Sequence, residues 1–258
     1  MIATDRIAVP GLSLEFGLVP WDTAACGFPV AQITDLVLDG RDLESPAEGW
    51  RAFEAWRDRA DVRLVSCRLP ENRLRESMWL EAAGFRCIEL VLQTETLLSR
   101  TPGLRDLSLQ IGPAAAADLP HIASIAEEAF TTDRFSVDFR LPKAASGRRY
   151  RRWVESVPTH PTQRLVKIED DGRIVGFFIV ESVAGGTCYW HLTAVAPACQ
   201  GRGYGKRIWR AMLDRHRAEG MERILTTIAV RNTPVVNLYA GLGFRFAPPQ
   251  MTLHWVRT

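Results

Sequence analysis

AVAPACQGRGYGKRIW, residues 194–209, is the stretch that decides how the second half of the chain folds. A predicted strand ends in it, Pro197 opens a turn, and three glycines lead into a predicted helix. Glycines let a ligand approach the backbone closely, and the N–H groups at a helix start form a cradle for phosphate oxygens. Lys206 and Arg207 add positive charge. The stretch therefore predicts an anion site, most simply for a pyrophosphate.

Two other phosphate-binding loops do not fit this turn. An NTPase loop requires GxxxxGK[ST] and a dinucleotide loop requires GxGxxG, and residues 201–205 match neither pattern. The preceding strands are predicted to be joined by hairpins, whereas a dinucleotide fold needs βαβ crossovers. The remaining alternative is a glycine-rich turn without a ligand.

Composition limits the class of protein. The 258 residues allow one or two domains, and 47% hydrophobic residues with a net charge of +2 favour neither nucleic acid nor a membrane as partner. Five cysteines without a CxxC pair indicate reduced thiols and no metal site. No secretory start and no run of 18 apolar residues is found, so a cytoplasmic location is expected.

The pattern of elements predicts an α/β fold with a mixed sheet. Before the turn, three strands are joined by Asp-Gly and Gly-Gly turns, and after it helices and strands alternate to the last strand, MTLHWVR. In the first hundred residues strands and helices also alternate, with one helix predicted from Pro70 to Gly84. RFSVDFRLPKAASG is predicted to be an irregular loop. A break rich in Pro and Gly places a domain boundary near residue 103, which separates domains 1–102 and 103–258.

A short phrase occurs in both halves: WLEAAGF at 79–85 and LYAGLGF at 238–244. Each copy ends a predicted helix between two strands, which indicates that one supersecondary unit occurs twice. The alternative is that Gly-Phe is simply a common helix stop. When the two copies are aligned, Leu80 stands where the later copy has Tyr239.

Two motifs resemble signatures of the GNAT N-acetyltransferase superfamily. Gln200, Gly203 and Gly205 occupy the positions of its [QR]-x-x-G-x-[GA] motif, and RNTPVVNLYAGLGF resembles its second signature, a helix that runs from asparagine to tyrosine. The resemblance covers most of the C-terminal half and implies a GNAT domain there, with acetyl-CoA as cosubstrate. Together with the repeated phrase it predicts two tandem GNAT-like domains, of which the N-terminal one is degenerate because it lacks the Q-x-x-G-x-G turn and the tyrosine. It also implies that Tyr239 protonates the departing thiolate. The coenzyme-binding residues it implies are Thr193 and Val195 on the strand, Gln200, Gly201, Arg202, Gly203, Tyr204, Gly205 and Lys206 in the turn, and Asn232 and Asn237 beside the pantetheine.

The residues themselves are compatible with these roles. Thr233 can cap a helix, Pro234 suits its first turn, and Asn232 and Tyr239 lie about two turns apart, on one side. A phenol with a pKa of about 10 can give a proton to a thiolate. The alternative for Tyr239 is an ordinary core tyrosine.

Attack on a thioester requires an uncharged amine, so a proton acceptor is the second catalytic candidate. Strand alternation places Tyr189, His191, Thr193 and Val195 on one face of a strand, from which His191 can act as a base or through a water. The alternatives are a packed histidine, or an amine that needs no dedicated base.

The acceptor is suggested by a closer resemblance. WDTAACGFPVAQI near the start and AFTTDRFSVDFRLPKAASGRRYRRWVES in the middle resemble bacterial TDP-fucosamine N-acetyltransferases. This implies a dTDP-linked 4-amino-4,6-dideoxyhexose as substrate, for surface polysaccharide. Arg134 and Arg148 offer guanidinium groups to the diphosphate of such a substrate. Phe135 and Tyr150 offer stacking faces to its thymine ring.

Other interpretations remain open. At least half of the arginines in RRYRRW can form a solvated helix face. The acceptor can be another small amine or a peptide N-terminus, or the chain can be a non-catalytic module that binds acetyl-CoA. The oligomeric state is open, with a homodimer as one option.

Overall fold

The computed structural model describes residues 2–39, 47–101 and 108–257. Its strands are β1 (Asp5–Val9), β2 (Leu12–Leu18), β3 (Val30–Leu38), β4 (Leu64–Pro70), β5 (Arg86–Leu97), β6 (Leu109–Pro113), β7 (Gln163–Asp170), β8 (Arg173–Val183), β9 (Thr187–Val195), β10 (Arg223–Ala229), β11 (Arg245–Phe246) and β12 (Gln250–Val256). Its α-helices are α1 (Pro20–Cys26), α2 (Ala47–Arg59), α3 (Leu74–Ala82), α4 (Leu119–Ala129), α5 (Arg134–Val137), α6 (Ala145–Ser156), α7 (Tyr204–Ala218) and α8 (Thr233–Gly241).

The chain forms two compact units. The first comprises Met1–Val91, Asp133–Ala145 and Pro248–Thr258, and the second comprises Leu92–Thr132 and Ser146–Ala247. The boundary predicted near residue 103 lies outside the described residues. Two segments that the sequence assigns to the second domain instead belong to the first unit. For the later segment the cause is strand pairing, because β12 is antiparallel to both β4 and β5.

The first unit contains the strands β1-β2-β3-β4-β12 and the first part of β5, in that order. Only β3 and β4 are parallel among the pairings described within this unit. One core of the unit is aromatic, with the rings of Phe16 and Phe53 4.9 Å apart and those of Trp50 and Trp79 4.5 Å apart. Edge-to-face contacts of this kind add to the hydrophobic stabilisation of the sheet.

The second unit contains the last part of β5 and then β10-β9-β8-β7-β6. The strands β6 to β9 form an antiparallel meander, and β10 is parallel to β9. The Asp-Gly and Gly-Gly turns are confirmed, since Asp171 and Gly172 have φ of 49° and 71°, and Gly185 and Gly186 have φ of 72° and 62°. Both turns have the positive φ values that tight hairpins require.

The two Gly-Phe phrases end their helices in the same way. The Phe85 N–H donates to the Leu80 carbonyl and the Phe244 N–H donates to the Tyr239 carbonyl, both at 3.0 Å. The preceding glycine has φ of 91° in the first copy and 81° in the second. This is the hydrogen-bonded glycine stop that terminates many helices. Leu80 and Tyr239 are both fully buried, so the alignment of the two residues holds in the structure.

Some predicted boundaries are wrong. The helix predicted from Pro70 begins only at Leu74, because Pro70 still belongs to β4 and lies opposite Gln250. The loop predicted from residue 134 contains the short helix α5, whose start is capped by Asp133, which accepts a 2.9 Å hydrogen bond from the Phe135 N–H. A capping aspartate is a recognisable helix start, but a four-residue helix has no periodicity to reveal it.

Three further features concern the described part of the chain. All five cysteines are free. No described helix is long and apolar enough to cross a membrane. No three His, Cys, Asp or Glu side chains are grouped so that they could hold a metal ion in residues 2–39, 47–101 and 108–257.

Candidate active site

The strands β9 and β10 separate partway along their length. Their parallel pairing runs from Thr187 with Arg223 to Trp190 with Thr226, after which the described strands continue to Val195 and Ala229 without further pairing. At the last paired step the Thr226 hydroxyl donates to the Trp190 carbonyl at 2.8 Å. The other edge of β9 stays paired with β8 as far as Val195. The edge of β9 that faces β10 therefore offers main-chain groups to a ligand.

The glycine-rich turn connects the end of β9 to α7. Gly201 and Gly203 have φ of 72° and 80°, a conformation that glycine adopts without steric cost, and Gly203 caps the helix without a side-chain hydrogen bond. The N–H groups of residues 201–206 have no acceptor among the described residues. Arg202 and Lys206 are exposed beside them. A row of free N–H donors at the positive end of a 15-residue helix suits a diphosphate.

Three side chains of the turn region are already engaged. Gln200 donates from Nε2 to the Val195 carbonyl at 3.2 Å. The Tyr204 hydroxyl donates to Asp170 at 2.8 Å, and the Arg207 guanidinium lies 3.3 Å from the same carboxylate oxygen. The hydrogen bond to Asp170 raises the pKa of the Tyr204 phenol. Arg207 was expected to add positive charge to the anion site, but its charge is compensated by Asp170. Tyr204 contributes its backbone N–H to the turn.

Tyr239 lies at the point where β9 and β10 separate. Burial raises the pKa of its phenol to about 12, and Trp209, Thr193 and Thr226 lie near enough to oppose part of this rise. The hydroxyl nevertheless makes no hydrogen bond of ordinary geometry to a described residue, and the same is true of the Trp209 indole N–H. Buried polar groups without partners are uncommon and costly. Two of them beside an open strand edge fit a polar ligand group such as a thioester.

A bulge at His191 changes which side chains share a face of β9. Trp190 lies opposite Val180 and Leu192 opposite Ile179, so His191 is an extra residue in the ladder. The expectation that Tyr189, His191, Thr193 and Val195 share one face is therefore wrong.

The two sides of the bulge face different neighbours. Tyr189 and His191 pack together, with ring centroids 4.6 Å apart. Beyond the bulge Thr193 lies opposite Phe178, whose ring contacts Trp209 on the side where Tyr239 is buried. The candidate acid and the candidate base thus belong to opposite faces of the sheet.

His191 has a partner that the sequence did not reveal. Its Nε2 lies 2.7 Å from a Glu181 carboxylate oxygen on β8. Both side chains are about one-fifth exposed, at 21% and 22%. Glu181 lies opposite Tyr189 in the β8–β9 hairpin. The sequence predicts the hairpin but not its register, so it gives no signal for the contact between Glu181 and His191.

The two asparagines occupy the start and middle of α8. Asn232 is the residue that caps the helix, although its side chain makes no capping hydrogen bond, and it is half-buried. Thr233, expected to cap, is the first helical residue, and Pro234 lies in the first turn as predicted. Asn237 is exposed.

The residues predicted to bind the acceptor are divided between the two units. Arg134 and Phe135 belong to the first unit, whereas Arg148 and Tyr150 belong to the second. Phe135 is 3% exposed within a hydrophobic cluster, and Arg134 forms an ion pair with Asp22 at 3.3 Å. The sequence did not predict Asp22 as a partner of Arg134.

The aromatic residues of α6 are also engaged within their own unit. The Tyr150 ring is buried against Phe130, with centroids 4.3 Å apart. Phe135 and Tyr150 therefore offer no face for stacking in this structure, because both rings fill the hydrophobic core. Arg151 forms ion pairs with Glu127 and Glu155, in agreement with the solvated-face alternative for part of this run.

Replacing Phe135 with Ala is expected to lower the free energy of unfolding by about 3–5 kcal/mol, because a buried ring leaves a cavity. Denaturant unfolding measures this change. Phe139, on the same segment, is 94% exposed, so Phe139→Ala is the matched control and should change stability by less than about 0.5 kcal/mol. A folded Phe135→Ala protein of unchanged stability would contradict the burial described here.

Comparison with known proteins defines the class of this domain. Residues 123–244 match the family described as acetyltransferase (GNAT) family. Over 87 residues the chain is 33% identical to a mycothiol acetyltransferase from Renibacterium salmoninarum, a match that covers 31% of this chain and 25% of the relative. The matched part thus spans a quarter of that relative's length.

Two solved structures share the fold. A GCN5-related N-acetyltransferase from Sphaerobacter thermophilus has a TM-score of 0.66 at 15% identity, over 93% of this chain and 76% of that one. A tandem GNAT protein from the clavulanic acid biosynthesis pathway has a TM-score of 0.57 at 14% identity, over 96% and 84%. The chain therefore has a mixed α/β fold, and residues 123–244, a little under half of it, are similar to the acetyltransferase (GNAT) family.

Proposed function

We propose that this chain transfers the acetyl group of acetyl-CoA to the amine of a nucleotide-linked amino sugar of the dTDP-4-amino-4,6-dideoxyhexose type. One observation carries the transferase part of the proposal. In the second unit, free N–H groups at residues 201–206, the unpaired edge of β9 and the unpartnered Tyr239 hydroxyl follow one another along the path a coenzyme would take. These features fit a pyrophosphate, a pantetheine and a thiolate.

In the proposed reaction the amine attacks directly. Acetyl-CoA supplies a thioester carbonyl, so a C–N bond forms as the C–S bond breaks. His191 accepts the proton that the amine loses, with its Nε2 held by Glu181. Tyr239 gives its phenolic proton to the sulfur, and burial keeps that proton in place at neutral pH. The two residues act from the two faces of the sheet, which suits an attack across the gap between β9 and β10.

The acceptor assignment rests on the sequence resemblance around WDTAACGF and ASGRRYRRW. Arg148 and Arg149 on α6 support it, because both are half-buried and the Arg149 guanidinium lies 5.4 Å from the Trp153 ring centroid. Guanidinium groups bind diphosphates through bidentate hydrogen bonds.

We further propose that the first unit is a degenerate copy of the GNAT fold. It has the same helix end, and its parallel pair β3 and β4 also separates, after Ile33 and Cys67. It lacks the tyrosine, and its separated strand edge is engaged: Arg73 and Arg75 lie at the start of α3 and donate to the carbonyls of Leu36 and Leu38. These contacts occupy main-chain acceptors that the second unit leaves open.

A panel of acceptors tests the proposed substrate. The expected result is that a dTDP-linked 4-amino-4,6-dideoxyhexose is acetylated with a kcat/KM at least about tenfold above that of the free sugar, because the diphosphate adds charge-assisted hydrogen bonds. Equal or better turnover of polyamines or peptide N-termini would contradict the sugar assignment. Binding of acetyl-CoA without turnover of any amine would favour a non-catalytic module.

A further inference from the structure

One face of the second unit's sheet carries a row of polar side chains. Gln163 on β7 lies opposite Glu181 on β8, which lies opposite Tyr189 on β9. All three are half-buried, so the row is accessible without being fully solvated. The Trp153 indole lies at one end of the row and donates to Gln163 at 3.0 Å. At the other end, the Tyr189 hydroxyl is 2.8 Å from that of Thr227 on β10.

His191 lies on the same face as this row. Strand alternation places it beside Tyr189, and the bulge leaves it without a residue directly opposite on β8. Bulges are frequent beside active sites. The His191 ring lies 4.6 Å from the Tyr189 ring and 6.1 Å from the Trp153 ring, measured between centroids. The imidazole therefore packs beside two aromatic side chains, with its Nε2 2.7 Å from a Glu181 carboxylate oxygen.

The contact with Glu181 decides which nitrogen of His191 carries a proton. An ionised carboxylate can only accept hydrogen bonds, so Nε2 must be the protonated nitrogen of the neutral ring. The other nitrogen, Nδ1, then has a free lone pair, and none of the described residues bonds to it. A histidine base needs this arrangement, with one nitrogen oriented by a partner and the other free to accept a proton.

Glu181 is itself held in an ionised form. A hydrogen bond from Thr162, together with that from His191, keeps the pKa of the carboxyl below its usual range. The other ionisable groups around the pair are the Tyr189 phenol, His160 next to Thr162, and the Arg149 guanidinium over the Trp153 ring. No second carboxylate contacts His191 among the described residues.

We propose that Glu181 is a positioning residue, which fixes the tautomer and orientation of His191 so that Nδ1 receives the proton of the acceptor amine. The inference rests on the proposed acetyltransferase function. The Glu181 carboxylate stays ionised throughout, and the proton moves from the amine nitrogen to Nδ1 of His191. The row beside it, with the Tyr189 and Thr227 hydroxyls, provides hydrogen-bonding groups for an amine and its neighbouring hydroxyls.

The test replaces Glu181 with Gln, which keeps the shape and removes the charge. We expect kcat/KM to fall at least about tenfold, through kcat, since the imidazole is no longer held in one tautomer and orientation. Affinity for acetyl-CoA should stay the same. Glu169→Gln is the matched control: Glu169 is also 22% exposed, on β7, and its partner is Lys167, so its replacement should leave kcat/KM unchanged.

A second measurement separates this inference from the proposed function. In protein labelled with 15N at histidine, the His191 ring should be the Nε2–H tautomer, and Glu181→Gln should give a mixture of tautomers. This readout needs no turnover, so it stands even if no acceptor is acetylated. A kcat/KM and a tautomer that both stay unchanged in Glu181→Gln would overturn the proposal, as would a fall in stability with an unchanged tautomer.

Discussion

Tyr239→Phe will lower kcat on the order of 100- to 10,000-fold and leave the Kd of acetyl-CoA nearly unchanged, which is the loss that removal of a general acid produces. The phenol is the one described hydroxyl buried without a partner beside the separating strands β9 and β10. Its proton is thus available to the departing sulfur, which leaves more readily as a neutral thiol than as a thiolate.

Stability provides the control for this variant. Because the Tyr239 hydroxyl makes no hydrogen bond to a described residue, its removal relieves a buried polar group without a partner. The ring stays in place against Phe244, whose centroid is 4.6 Å away. Tyr239→Phe should therefore unfold at the same temperature as the natural protein or a higher one. Lost activity with intact stability cannot be attributed to misfolding.

The pH dependence gives a second check on Tyr239. Burial raises the pKa of the phenol to about 12, so the group stays protonated through the neutral and mildly basic range. Any loss of activity between pH 7 and about pH 10 must then arise from another group, and it should persist in the Phe variant. Full activity of Tyr239→Phe would remove the residue as the acid.

Gly203→Ala should raise the Kd of acetyl-CoA on the order of 10- to 100-fold, the equivalent of about one or two charge-assisted hydrogen bonds. Gly203 has φ of 80°, so alanine strains the backbone, and the new methyl group enters open space beside the free N–H groups. Calorimetric titration with acetyl-CoA measures the change directly, without any acceptor.

A matched glycine separates strain from lost binding. Gly185 in the β8–β9 turn has φ of 72° and likewise has nothing within 4 Å of an added Cβ. It precedes the start of β9 at Thr187, whereas the anion site follows the other end of β9 at Val195, so Gly185→Ala carries similar strain away from the site and should bind acetyl-CoA normally. If both variants bind equally well, residues 201–206 do not hold the pyrophosphate.

Local signals predicted much of this fold. The glycine stops at Gly84 and Gly243 and the tight turn at Asp171 depend on neighbouring residues, and the structure confirms them. The pairing of β12 with β4 was not predictable, because its partners lie some 180 residues earlier and no local pattern specifies them. Long-range strand pairing depends on the whole fold.

The sequence predicted the local features of the candidate site and missed those that depend on strand pairing. The glycine-rich turn is a local motif, so its backbone conformation at Gly201 and Gly203 follows from the sequence. The bulge at His191 depends on the register of two strands, which regular alternation does not reveal. The burial of Phe135 and Tyr150 reverses their expected role, because an aromatic ring beside arginines serves a core as readily as a ligand.

A crystal structure of the chain with coenzyme A will show whether the separation of β9 and β10 holds the coenzyme. We expect the pyrophosphate to accept hydrogen bonds from the N–H groups of residues 201–206, the pantetheine to lie along the edge of β9, and the sulfur to lie within about 3.5 Å of the Tyr239 hydroxyl. Coenzyme bound elsewhere, or a sulfur out of reach of Tyr239, would contradict this expectation.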